Sequence, residues 1–131
     1  MSQQPEGDSQ PHPVPVLVLC RDLLFASKIT ATSRAVGVPV RMVRDASKLV
    51  EPSGSRRLIV DLNQSGYLEA AAAWKKATGG HVSGFVKHTD TQTIATARSA
   101  GIDAIYSQGA FTAQLDSILQ GGGSAVDPAC E

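Results

Sequence analysis

Apolar residues gather in five short runs along the chain, each followed by a stretch with helical spacing. The first run, Val14 to Cys20, contains Val16-Leu17-Val18-Leu19, and the third contains Leu58-Ile59-Val60. Continuous apolar runs of this length, bounded by polar turn residues, read as strands buried on both faces. The second run, Pro39 to Arg44, alternates in a way that suits an edge strand, and Pro39 opens it where a missing N–H does little harm. His81 to Lys87 and Ile102 to Tyr106 are the fourth and fifth runs.

The intervening stretches carry helix signals. Asp22 is an N-cap candidate, Phe25, Ile29 and Val36 repeat at helical spacing, and Gly37 is a stop. Asp45 to Glu51 reads as a short helix ended by Pro52. Tyr67 to Ala77 is alanine-rich and ends at Thr78-Gly79-Gly80. Asp90 caps a helix through Ala100, with Gly101 as its stop. Phe111, Leu115, Ile118 and Leu119 mark the face of a last helix, which Gly121-Gly122-Gly123 closes. Strand and helix thus alternate five times. That order predicts an α/β fold, a doubly wound five-stranded parallel sheet with helices on both faces, and 2-1-3-4-5 is the common strand order for it. The domain spans residues 14–120. Residues 1–13 are rich in Gln, Ser, Pro and Gly and read as a disordered tail, and residues 121–131 as a flexible one.

Composition narrows the function classes. Twelve Lys and Arg balance twelve Asp and Glu, which argues against a general nucleic-acid binder. No apolar run is long enough to cross a bilayer, and no basic segment leads into an apolar signal core. The expectation is a cytoplasmic protein with no membrane contact. Cys20 and Cys130 are far apart in the pattern, so a disulfide is not expected. His12, His81 and His88 are scattered, and no Cys/His cluster has metal-ligand spacing.

In an open α/β sheet, chemistry sits outside the carboxyl ends of the strands. Those ends carry Cys20-Arg21-Asp22, then Asp61, then Lys87-His88-Thr89, then Ser107-Gln108. Asp61 directly follows the most buried type of run and precedes the turn Asn63-Gln64-Ser65-Gly66. It is either a site acid or a cap for that turn.

With these residues the chain resembles the receiver domain of two-component response regulators, with its CheY-like, flavodoxin-like fold. The resemblance spans roughly Val14 to Leu119 and rests on the strand–helix order, on Leu58-Ile59-Val60-Asp61-Leu62, and on Ala100-Gly101-Ile102-Asp103 leading into the fifth strand. It implies that Asp61 stands at the phospho-acceptor position. Other positions depart from the family. Its acid pair for Mg²⁺ becomes Cys20 and Arg21, with only Asp22 just beyond. Its Ser or Thr after strand four falls near Val86 or Lys87, with Thr89 a little further on. Its lysine and proline after strand five become Gln108-Gly109, and its switch aromatic aligns with Ile105. Mg²⁺ takes hard oxygen ligands. The surrounding pocket of Cys20, Arg21, Asp22, Lys87, Thr89 and Gln108 therefore reads as degenerate and Asp61 as vestigial, with no cofactor and no catalysis.

The expected role is protein–protein signalling through an unidentified partner, with a homodimer as one arrangement; no output domain is seen, so any effect passes through that partner. Two rivals stand beside it. One is a working phospho-acceptor using Asp61 and Asp22 with Mg²⁺. The other is a small-ligand module using Asn63, Ser65 and Thr89. Arg21 either supplies a fixed positive charge beside Asp61, depressing its pKa, or faces water. Lys87 either replaces the missing lysine or is solvated. Cys20 reads as a buried small apolar residue, Trp74 and Tyr67 as core, and His88 as a surface residue at the start of a helix.

Overall fold

The computed structural model describes residues 14–50, 54–87 and 91–121. Both tails, Glu51 to Ser53 and the segment His88-Thr89-Asp90 lie outside the described residues. So do the expectations placed on Pro52, His88, Thr89, Asp90 and Cys130.

Five strands form one sheet: β1 (Val16–Leu19), β2 (Val40–Val43), β3 (Arg57–Asp61), β4 (His81–Val86) and β5 (Ala104–Ser107). All pair in parallel, in the order β2-β1-β3-β4-β5. The helices are α1 (Leu23–Val36), α2 (Tyr67–Thr78), α3 (Thr91–Ser99), α4 (Gln108–Ala113) and α5 (Leu115–Leu119). The expected doubly wound architecture is what the chain adopts.

Side-chain alternation along each strand divides the core. Val16, Val18, Cys20 and Ile59 pack with Ile29, Phe85, Phe111 and Leu119 on the face covered by α1, α4 and α5. Leu17, Leu19, Leu58 and Val60 pack with Leu49, Tyr67, Trp74, Ile94 and Ala97 on the other. Trp74 and Tyr67 are therefore core residues, as expected. Phe85 stacks between Phe25 and Phe111, with centroids 4.8 and 4.5 Å away. Offset ring pairs of this kind add to simple burial.

Three elements differ from the sequence reading. The stretch after β2 is a 3-10 helix, Ala46–Val50. The Asp45 carboxylate accepts from both the backbone N–H and the hydroxyl of Ser47, and this local bonding competes with a regular α-turn. The last helix is split at Gln114, whose φ of −110° breaks the run and whose N–H is shared between the Ala110 and Thr112 carbonyls. Strand ends are also shorter than the apolar runs: β1 omits Val14 and Cys20, and β5 starts at Ala104. At Cys20 and Ile102 the ladder stops while the apolar side chains continue into the core, whereas Val14 is exposed. Among the described residues no helix is long and apolar enough to cross a membrane.

Candidate functional site at the strand ends

Asp61 ends β3 with 3% of its surface exposed. Its Oδ1 accepts two hydrogen bonds from Asn63, from the backbone N at 2.9 Å and from Nδ2 at 2.8 Å. This is an Asx turn, the capping role left open by the sequence. Burial pushes the Asp61 carboxyl above its ordinary value. The two Asn63 hydrogen bonds oppose that shift, Asp22 adds to it, and Lys87 weakly opposes it.

Asn63, legible in the sequence only as a turn residue or a small-ligand contact, is the hub of the site. Its Oδ1 accepts from the Lys87 backbone N–H at 3.1 Å, beyond the end of β4. Its Nδ2 also reaches Gln108 Oε1, at 3.4 Å, where β5 gives way to α4. One side chain thus ties together the ends of β3, β4 and β5. The spacing Asp-x-Asn after a strand was the available signal, since Asx residues bond readily to neighbouring backbone.

The other site residues are only partly brought together. Cys20 is 1% exposed, and its thiol donates to the Asp22 carbonyl at 3.5 Å. Burial pushes this thiol up to about 11, and Asp61 and Asp22 add to the rise. Asp22 is exposed and acts as the N-cap of α1, with Oδ1 accepting from Leu24 N at 2.9 Å and Phe25 N at 3.3 Å. Lys87 presents its backbone to Asn63 while its side chain is exposed.

Of the two readings open for Arg21, the ion pair with Asp61 does not form, and the side chain is exposed. The exposed Arg21 lines a cleft with Arg44, Asp45, Ala46 and Tyr67. No ion pair joins it to Asp61, whose carboxyl is raised by burial rather than depressed by a guanidinium. The reason is strand parity. Val16, Val18 and Cys20 face α1 and α5, so the next residue, Arg21, turns to the opposite side. Ile59 shares the α1 face, and Asp61, two residues on, follows it.

Magnesium does not fit these donors. Cys20 offers a protonated, buried thiol, and Mg²⁺ prefers hard oxygen ligands. One oxygen of Asp22 is committed to helix N–H groups and one oxygen of Asp61 to Asn63. Among the described residues no group of three His, Cys, Asp or Glu side chains could hold a metal ion.

No family model matches the chain, and no curated protein does. Solved structures do match. The receiver domain of a sensor histidine kinase from Pseudomonas aeruginosa superposes with a TM-score of 0.67 at 18% identity, covering 83% of this chain and 96% of that one. This chain has the receiver fold. The neighbour's structure holds a magnesium ion in its active-site cleft. A second match is the receiver domain of the Saccharomyces cerevisiae response regulator Ssk1, in complex with the histidine phosphotransfer protein Ypd1. It has a TM-score of 0.67 at 12% identity, covering 84% of this chain and 88% of that one. A de novo designed Rossmann 2x3 protein matches as well, with a TM-score of 0.66 at 14% identity, covering 86% of this chain and 94% of that one. The receiver-like architecture is thus shared with a designed protein, and the fold by itself does not fix a function.

Proposed function

We propose that this receiver-like domain works in signal transduction by protein–protein contact, without phosphorylation of Asp61 and without a metal cofactor. The observation that carries this reading is the donor set around Asp61. Transfer of a phosphoryl group to a carboxylate requires positive charge around the equatorial oxygens, ordinarily from a metal and a lysine. Here a neutral thiol and a helix-capping acid stand where hard ligands would be needed, and Gln108 lies near Asn63 in place of a cation. The Asx turn at Asp61 gives the carboxylate a structural task in place of a chemical one. A non-catalytic domain of this kind acts through what it touches. The yeast receiver matched above is bound to a phosphotransfer protein, and a protein partner is the corresponding proposal here.

The test is incubation with acetyl phosphate and Mg²⁺, followed by intact-mass measurement. A working site would form an acyl phosphate at Asp61 and release acetate. The expected result is an unchanged mass. Near-complete addition of one phosphoryl group, lost in Asp61→Asn, would replace this reading with a Mg²⁺-dependent phospho-acceptor.

A further inference from the structure

The cleft that holds Arg21 lies beside the Asp61 site and has no part in the reading above. Its volume is about 430 Å³, and Arg21, Arg44, Asp45, Ala46 and Tyr67 line it. That size falls within the range of small-molecule sites. It opens at the carboxyl ends of β1 and β2, the edge of an open α/β sheet where ligands bind.

The two arginines are held from behind. Leu19 pairs with Val43, and the Cys20 N–H donates to the Val43 carbonyl at 3.0 Å, so Arg44 and Arg21 follow the ends of adjacent strands one residue out of step, Arg44 beside Cys20 and Arg21 beside Asp45. Neighbouring strands lie about 4.8 Å apart, close enough for two long side chains to converge on one ligand. The buried Tyr67 donates its hydroxyl to the Arg44 carbonyl, which pins the end of β2 against the start of α2. Asp22, next to Arg21, is pinned in turn by its capping bonds to α1. Both guanidinium groups are exposed, and among the described residues neither has a hydrogen bond or ion pair.

The charge balance of the cleft is positive. Two arginines and one acid, Asp45, line it, and the Asp45 Oδ1 is turned toward the backbone and hydroxyl of Ser47 at 3.0 and 2.8 Å. Guanidinium forks match the geometry of phosphate oxygens and bind them in bidentate fashion.

We propose that this cleft binds a small phosphate-bearing anion between Arg21 and Arg44. Such a ligand would bridge the ends of β1 and β2 and contact the 3-10 helix, making the domain responsive to a dissolved anion in place of a covalent phosphate.

The test is titration calorimetry of the full chain with pyrophosphate, and separately with adenosine diphosphate, at constant ionic strength. Saturable binding is expected. Arg21→Ala and Arg44→Ala should each weaken it by about tenfold or more, the scale of losing a charge-assisted contact. Arg21→Lys should fall between, because lysine keeps the charge and loses the fork. Lys28→Ala, on α1, should leave the affinity unchanged. Tighter binding of the diphosphate than of pyrophosphate would point to a nucleotide, and equal binding to the phosphate group alone. Thermal melts of each variant separate lost binding from lost folding. Absence of saturable binding would overturn the proposal, as would an affinity unchanged from the wild type in both alanine variants. Binding of a polyglutamate peptide with no binding of either phosphate compound would also overturn it, and would assign the arginines to an acidic protein surface.

Discussion

Asn63 uses its backbone N–H and both ends of its amide to join Asp61, the Lys87 backbone and Gln108. The carboxylate it caps is nearly inaccessible, and the burial raises the Asp61 pKa. Between the ordinary carboxylate value and the raised one, the folded protein holds more protons than the unfolded chain. Stability therefore falls as pH rises through that window, and the full cost persists above it. Asp61→Asn keeps the Oδ1 acceptor and removes the buried charge. It should raise the urea midpoint at neutral pH, and the gain should shrink toward zero below the ordinary carboxylate range. A lower midpoint at neutral pH would mean that the charge stabilises the turn.

At the scale of elements, close approach across the sheet constrains the strand beneath the site. Gly84 in β4 pairs with Val60 in β3. A Cβ added at Gly84 would lie 2.5 Å from Leu62 Cδ1 and 2.9 Å from Leu62 Cγ. Leu62 is buried and directly follows Asp61, so it has little room to give way. Gly84→Ala should cost about 1–3 kcal/mol, the usual cost of overpacking a core. Because Leu62 links Asp61 to Asn63, the same substitution should disturb the Asx turn. Amide chemical shifts of Asn63 and Lys87 would report that, and unchanged shifts would show that the strain is absorbed elsewhere.

Across the whole molecule, Arg57 closes the fold at the end opposite the site. Its Nη1 donates to the Leu119 carbonyl at 2.9 Å and its Nη2 to the Ile118 carbonyl, at the C-terminal end of α5. A cation there meets the last carbonyls of the helix, of which that of Ile118 also accepts from the Gly121 N–H at 3.1 Å, and the favourable end of its dipole. Contacts this far apart in sequence hold the last helix to the central strand. Arg57→Ala should cost roughly 1.5–3 kcal/mol, the range for hydrogen bonds to charged groups. Arg57→Lys should recover only part, since lysine offers a single donor nitrogen in place of the planar guanidinium fork. Urea unfolding measures both, and a loss within error would mean that α5 is held by its apolar face alone.

The sequence by itself determined the architecture. Five apolar runs such as Val16 to Leu19 and Leu58 to Val60, alternating with capped helical stretches, admit few arrangements other than a doubly wound parallel sheet, because only burial on both faces satisfies them. It also brought Cys20, Asp61 and Gln108 to one edge, since connection rules set the strand directions. The tertiary structure decided what those residues do there. A period of two sends Arg21 and Asp61 to opposite faces, and that parity becomes visible only once β1 and β3 are seen against their covering helices. The bonds from Asn63 to Lys87 and Gln108 depend on neighbours distant in sequence. Local pattern carries periodicity and capping, whereas the partner of a buried polar group is chosen by packing.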